Sequence, residues 1–534
     1  MSATTPSRQT ARDNGTLGQW LVQAIERFAD RVAFIQDQRR VTYRELGASI
    51  SQAIQYFDAL GLKRGDTVAQ LCGNRPEVFV IVAAAYIHGL RSVTLHPAAG
   101  LKDHIHVLTD AEAKCFIGET AYGERAAALR AHGPQVAHWR SHDPGTPEWP
   151  CLGAEAQAFT PQALYANTRP EEVMRLSYTG GTTGRSKGVQ LSDRAVLTNT
   201  LLWLSGMGLP EGVRYLCPAP ISHGAGSLVV ATLVRGGTVI LQRGFDAARF
   251  VAGAQTHQAQ LTWLVPTMLY GLLDHLRAHP QQRMPSLQWL VYSAAPAAPE
   301  RLREALQRLG PVLYQSYGQT EAPNTILMLD RADHAAASLK RLSAAGRPYP
   351  GLTVALLDEQ EREVGAGEIG EICVQGPLLM SGYLNQPEQS AETLRNGWLH
   401  TGDLGRRDSD GLYYIVGRKK DMIISGGFNV YPREVEDTLA QHPAVSAAAV
   451  FGVPHPKWGE AVTAAVVLRA PAQASAAELI DFVRQHKGPV CAPKTVHFID
   501  AIPLTAIGKP DKKTLADRFP AATAGTAVDI QPVS

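Results

Sequence analysis

Three features of the 534-residue sequence predict an α/β fold built as more than one domain. The chain is too long for one hydrophobic core. Short apolar runs alternate with helix-period segments through its first two-thirds, as parallel sheets with crossover helices require. The pattern then changes past Thr353 to short strands and turns, and after Arg418-Lys419-Lys420 to a compact α+β unit. The expected architecture is a large N-terminal domain of stacked βα sheets with a β-rich subdomain over 1–419. A small α+β domain over 420–520 and a tail over 521–534 follow.

The elements can be justified in order. Leu17, Trp20, Leu21, Ile25 and Phe28 recur at helical spacing, so Leu17–Phe28 reads as an amphipathic helix. Val32–Ile35 and Arg40–Tyr43 read as strands around a polar turn, and Tyr43–Leu60 as a helix closed by Gly61. Thr67–Cys72 is a strand, Pro76–Gly89 an apolar helix and Ser92–Leu95 another strand. Tyr122–Pro161, rich in Ala, Gly, Pro and His, is expected to run irregularly over the surface. Helices follow at Asp193–Ser205 and Ser227–Arg235, with strands at Tyr215–Pro218, Thr238–Gln242, Leu261–Val265 and Leu287–Tyr292. Val354–Leu357, Gly370–Gln375 and Leu412–Val416 suggest a second, largely antiparallel sheet. The C-terminal unit reads as helix Val435–His442, strands Val445–Phe451 and Val462–Leu468, and helix Ala477–Gln485.

Hydrophobic residues make up 45% and charged residues 19% of the chain, and the net charge is +2 with no long basic block, so nucleic-acid binding has no electrostatic support. The six cysteines are scattered without metal-type spacing, which fits buried free thiols in a reducing compartment. The polar Met1–Gly15 lacks a signal-peptide core, and the longest apolar run, Val78–Ile87, is too short to span a bilayer. A cytoplasmic protein, monomeric or homodimeric, is expected.

The densest motif is Ser177–Val189, with four glycines, three threonines and two cations. Backbone N–H groups in such a loop form an anion cradle, and Thr182, Thr183 and Lys187 add donors and charge. It departs from the strand–loop–helix nucleotide motif because Gly188, not a hydroxyl residue, follows Lys187. Other polar clusters fall near strand ends, where open α/β sheets bind ligands. Gln315-Ser316-Tyr317-Gly318-Gln319-Thr320-Glu321 supplies an aromatic face, donors and a carboxylate suited to Mg²⁺. Ala294-Ala295-Pro296 presents small residues for a flat ring. His400-Thr401-Gly402-Asp403 places a carboxylate in a turn, suited to a ribose diol, with Arg418 nearby in sequence. Gly508-Lys509 lies near the C-terminus.

In this order the motifs resemble the adenylate-forming superfamily of acyl- and aryl-CoA synthetases, luciferases and peptide-synthetase adenylation domains, from about Leu17 to Leu515. The resemblance implies that Thr179, Gly180, Gly181, Thr182, Thr183, Gly184 and Lys187 wrap the ATP phosphates. Gly180 and Ser186 stand where Ser and Pro are usual. It implies that Tyr317 stacks on adenine opposite Ala294 and Ala295, with Pro296, Gly318 and Gln319 beside the nucleotide. Gln315 lies near the exocyclic amine, and Ser316 and Thr320 near the nucleotide and phosphate. Glu321, with Thr182, would hold Mg²⁺, while Asp403 and Arg418 contact ribose. His223 would stand between the nucleotide and an acyl pocket containing Gly224, Ser227, Gly318, Ala322 and Pro323. The small residues there suggest room for a bulky aryl or a medium-to-long acyl group. Lys509 would bridge the attacking carboxylate and the α-phosphate. A mobile C-terminal domain would turn about Lys420 and present Ser425-Gly426-Gly427-Phe428 to coenzyme A, with Trp458 and Lys457 at its nucleotide end. The implied activity is carboxylate plus ATP to acyl-AMP, then coenzyme A to acyl-CoA; the alternative acyl acceptors are a carrier protein or an amine. A non-catalytic ligand-binding relative is disfavoured by the joint presence of Lys509, Glu321 and Asp403.

Overall fold

The computed structural model describes residues 15–144, 149–179, 186–335, 338–469, 471–504 and 510–520. The chain divides into two compact units, one formed by Met1–Val354 with Cys373–His400, the other by Ala355–Ile372 with Thr401–Ser534.

The first unit is built on two sheets. A nine-stranded sheet runs in the order Arg347–Pro348, Ala322–Leu329, Leu313–Gln319, Trp289–Tyr292, Leu261–Leu264, Arg214–Cys217, Thr238–Leu241, Val32–Gln36, Arg39–Thr42. A seven-stranded sheet runs Gly382–Tyr383, Gly188–Ser192, Val173–Tyr178, Arg91–Thr94, Thr67–Leu71, Ala113–Gly118, His138–Ser141. Inner pairs are parallel, as alternating βα segments dictate; both ends of the nine-stranded sheet and the Gly382–Tyr383 end of the seven-stranded sheet are antiparallel, while its other edge, His138–Ser141, pairs in parallel with Ala113–Gly118. The helix Pro76–His88 shows the local logic. Pro76 opens it at the position whose N–H has no helical partner, Gly89 closes it at φ +91°, and ten of its residues are buried. One core layer packs Phe250, Leu269, Leu272, Leu273 and Leu302 against the strands Leu261–Leu264 and Trp289–Tyr292.

Residues 122–161 depart from the expected irregular surface run. Gly123–His132 is a helix, His138–Ser141 is the edge strand of the seven-stranded sheet, and Leu152–Ala156 is a short helix. Trp139 and Trp149 pack on Phe116 at ring distances of 4.8 and 6.2 Å, so burial of aromatic area overrides a turn-rich composition. The helix Leu101–Asp110 and strand Ala113–Gly118 precede it.

The second unit contains most of a four-stranded sheet (Thr353–Leu357, Ile369–Gln375, Leu399–Arg407, Tyr413–Arg418). It also contains a five-stranded sheet in the order Phe428–Val430, Ile423–Ser425, Gly459–Leu468, Val445–His455, with Thr495–Phe498 also paired to Gly459–Leu468. The helices Pro432–Leu439 and Ala476–Lys487 contribute Val435, Leu439, Leu479 and Val483 to its core. All six cysteines are free, four of them buried. Among the described residues no helix is long and apolar enough to cross a membrane.

Three desolvated histidines, two buried and one half-buried, set a pH dependence of stability. Burial pushes His142 and His334 down to about 4 and His223 to about 3. In the unfolded chain each takes up a proton below about 6.5, which the folded state refuses, so stability falls with pH through that window. Asp193, pushed up to about 7 by burial, and Asp437, also raised by burial, act in the opposite sense, while His96, His104, His257 and His497, lowered first by burial, add to the three. The thermal midpoint should therefore drop clearly between pH 7 and pH 5, and calorimetry showing a flat profile there would contradict this account.

Candidate functional site

The glycine-rich stretch connects two antiparallel strands, Val173–Tyr178 and Gly188–Ser192, so it is a hairpin excursion and not a strand-to-helix loop. Its ends close with the Thr179 N–H donating to Lys187 O at 3.1 Å. Gly180, Gly181, Thr182, Thr183 and Gly184 lie outside the described residues. The helix Leu101–Asp110 pins the stem: His106 Nε2 meets Ser186 O at 2.7 Å, and Tyr178 Oη donates to Asp110 Oδ2 at 2.7 Å. A Cβ on Gly188 would lie 2.9 Å from the Tyr178 ring, so the stem admits no larger residue there without a shift.

Residues 315–319 lie within the strand Leu313–Gln319, and Glu321 sits in the tight connection to Ala322–Leu329. Tyr292 Oη donates to Gln315 Oε1 at 3.0 Å, fixing that amide, and Ser293 Oγ donates to Ser316 O at 2.6 Å. Ala294 is held at φ +74°, a conformation unfavourable for a residue with a Cβ, and it is exposed at the C-terminal end of its strand, as is Pro296; Ala295 is half-buried. Tyr317, Gln319 and Thr320 are half-buried.

Glu321 is 8% exposed, yet one carboxylate oxygen is engaged: Tyr383 Oη donates to Oε1 at 2.7 Å. Lys187 Nζ lies 4.0 Å from the centroid of the same Tyr383 ring. A lysine ammonium and a buried carboxylate thus meet on one aromatic side chain.

His223 precedes the helix Gly224–Val234, which begins three residues earlier than expected. Ser222 Oγ contacts its Nδ1 at 2.7 Å, and His96 packs edge-on at 4.5 Å. Burial first, then the nearby His96 and Arg175, depress its basicity, leaving a neutral imidazole at physiological pH. Asn74 holds the preceding loop, donating to Ala219 O at 2.8 Å and accepting from the Ile221 N–H at 2.8 Å.

The small residues beside the expected acyl pocket are small for packing reasons. A Cβ on Gly224 would come 3.1 Å from Trp263, on Gly226 1.9 Å from Ile221 O, and on Gly318 2.6 Å from the Asn324 backbone. Ser227 Oγ donates to Gly224 O at 2.7 Å and accepts from Trp203 and Asn324. Ala322 is fully buried and Pro323 half-buried. Their size is therefore no measure of spare volume for substrate.

In the second unit, Asp403 lies inside the strand Leu399–Arg407 and not in a turn. The antiparallel ladder pairs it with Arg418, whose Nε is 3.0 Å from Oδ1. Its turn-like neighbour Gly402 takes φ +71° within the strand, donating its N–H to Glu371 Oε1 at 3.0 Å. Lys420 is exposed in the short turn Lys419–Asp421. Gly426 and Gly427 adopt φ +61° and +82° between buried Ser425 and 61%-exposed Phe428. The Gly426 N–H donates to Trp458 O at 2.7 Å. Trp458 is half-buried, with Lys457 and Lys494 ammoniums 4.9 and 5.3 Å from its ring. Lys509 lies outside the described residues.

The model of the AMP-binding enzyme family matches residues 21–384, and that of the AMP-binding enzyme C-terminal domain matches residues 434–509. The chain belongs to the AMP-binding enzyme family. It is 44% identical to a medium/long-chain-fatty-acid–CoA ligase, FadD8, of Mycobacterium tuberculosis, over 94% of this chain and 90% of that protein. It is 35% identical to a feruloyl-CoA synthase of an Amycolatopsis species, over 95% and 99%. The solved structure of the amide bond synthetase McbA from Marinactinospora thermotolerans superposes with a TM-score of 0.86 at 34% identity, over 93% of this chain and 100% of that one.

For this AMP-binding enzyme, sequence reasoning missed Asn74, His96, His106, Asp110 and Tyr383. The short segment Gly382–Tyr383 carries no spacing or charge pattern that would single it out; its partners come from 62 residues upstream and from the loop strand.

Proposed function

We propose that this enzyme is an ATP-dependent carboxylic acid–CoA ligase, forming acyl-AMP and pyrophosphate and then acyl-CoA and AMP. The observation that carries the reading is the Lys187–Tyr383–Glu321 constellation. It offers a cation for the phosphates and a carboxylate for Mg²⁺ on one aromatic side chain, and Tyr317 is the aromatic face proposed for the base. Glu321 fits Mg²⁺ because it is a hard oxygen donor with Oε1 fixed and Oε2 without a partner among the described residues. When bound, Mg²⁺ would neutralise charge on the departing pyrophosphate.

The remaining roles follow the chemistry. Thr179, Thr182, Thr183 and Lys187 grip the β- and γ-phosphates, and Asp403, oriented by Arg418, accepts from the ribose hydroxyls. Lys509 bridges carboxylate and α-phosphate. Neutral His223 stands between nucleotide and acyl group. The C-terminal domain beyond 419 turns about Lys420, and Gly426 and Gly427 let the thin pantetheine arm pass close to backbone. Lys457 and Trp458 receive the nucleotide end of coenzyme A. The named activities of the relatives support an aryl or medium-to-long acyl substrate.

The likeness to an amide bond synthetase favours a second reading, transfer of the same acyl-adenylate to an amine. One assay separates them. Pyrophosphate release is measured over a panel of fatty and hydroxycinnamic acids, followed by product detection with coenzyme A or with amines. Thioester formation is the expected result; amide without thioester would replace the ligase reading, and no pyrophosphate release with any acid would overturn both.

A further inference from the structure

We infer that Tyr383 is a positioning residue for adenylation, its hydroxyl aiming the Glu321 carboxylate while its ring seats the Lys187 ammonium. The inference rests on the assignment of Glu321 to Mg²⁺ and of Lys187 to phosphate.

The backbone around Tyr383 is stitched to both partners. Gly382 and Tyr383 pair with Gln190 and Val189, on the strand that leaves the glycine loop. The Leu384 N–H donates to Gly188 O at 2.7 Å, and the Ser381 N–H to Gln190 O at 2.9 Å. On the other side the Met380 N–H donates to Glu321 O at 2.8 Å. Ser390 Oγ accepts the Tyr383 N–H at 2.8 Å, and Asn385 reaches Asp110, which also anchors Tyr178 in the loop stem. Five residues thus tie the loop exit to the carboxylate, and Tyr383, 5% exposed, is the one whose side chain touches both charged groups.

The chemistry suits the task. Without a donor, a buried carboxylate can rotate or take up a proton, and its free oxygen no longer points one way. A phenol O–H fixes Oε1 and leaves Oε2 for a cation. A phenol O–H is a donor at ordinary assay pH. The ring face attracts the ammonium without neutralising it, as an anionic partner would, so Lys187 keeps its charge for phosphate. Tyr383 therefore couples cation and carboxylate while consuming neither charge.

The test is equilibrium binding of ATP to the full chain, with and without Mg²⁺, for wild type, Tyr383→Phe and Tyr383→Leu. Phenylalanine keeps the ring and removes the O–H. We expect it to raise the Mg²⁺ concentration needed for half-maximal ATP binding about tenfold, with metal-free ATP affinity and thermal midpoint unchanged. Leucine also removes the ring face and should weaken metal-free ATP binding severalfold. In the Glu321→Gln background, Tyr383→Phe should have no further effect on the Mg²⁺ requirement. An unchanged Mg²⁺ requirement in Tyr383→Phe, or equal losses with and without metal, would make Tyr383 a packing residue and overturn the inference. The readout needs no acid substrate, so failure here is distinct from a wild-type enzyme that binds Mg·ATP but adenylates nothing, which would count against the ligase reading.

Discussion

Lys509→Ala should slow acyl-adenylate formation by about 10²–10³-fold and leave thioester formation from supplied acyl-adenylate within a few-fold of wild type. The first half-reaction brings a carboxylate against an α-phosphate, two anions whose repulsion rises as the new bond forms. A cation placed between them is worth most where the charges converge. In the proposed assignment Lys187 and a Glu321-held Mg²⁺ would serve the leaving-group end, so neither would replace it. The second half-reaction attacks an acyl carbon whose negative partner has already been esterified, and the same cation has no charge pair to bridge. Pyrophosphate exchange reads the first step and thiol consumption with synthetic acyl-adenylate reads the second. Lys513→Ala, an exposed lysine four residues along, serves as the control. Equal loss in both half-reactions would end the idea that the C-terminal domain serves them in turn.

Local signals and tertiary signals were not equally legible in the sequence. Pro76 and Gly89 announce their helix because each satisfies a local backbone requirement, and the alternation of strands and helices gave the sheets. Residues 123–141 were opaque because the forces that order them come from Phe116 and Trp149, outside the segment. The expected turn at Asp403 is a strand for a related reason. Thr-Gly-Asp is turn chemistry in isolation, but the ladder to Tyr413–Arg418 holds the segment extended and lets Gly402 take its positive φ inside a strand.

The same divide runs through the site. Motifs whose residues are adjacent in sequence, such as Gln315–Glu321, could be singled out directly. Residues that act by holding others could not: His96 meets His223 and Tyr383 meets Glu321 across large sequence separations, and an isolated His or Tyr carries no spacing signal. Glycines carried a second meaning. Gly224 and Gly318 suggested open volume, and each also accommodates a close neighbour.

Gly318 makes the sharpest case, and Gly318→Ala should abolish most adenylation activity, by about 10²-fold, with a stability loss of about 1–3 kcal/mol. A Cβ there would lie 2.6 Å from the N, Cα and C atoms of Asn324. Those are backbone atoms, so no rotamer change relieves the clash. The register shifts between Tyr317↔Leu327 and Gln319↔Ala322, where the hairpin folds most tightly. Asn324 cannot retreat freely: it is held at φ +57°, its carbonyl accepts Ser316 Oγ, and its amide donates to Ser227 Oγ at 3.1 Å. The strands must therefore spread, carrying Tyr317 on one side and Glu321 at the turn out of alignment together. Gly153→Ala, in a helix with no atom within 4 Å of the added methyl, is the matched control and should be near neutral. Thermal melts and pyrophosphate exchange on both variants decide the matter. If Gly318→Ala adenylates at the wild-type rate, the hairpin tolerates spreading, and the close pairing of Tyr317 and Glu321 is not what the chemistry needs.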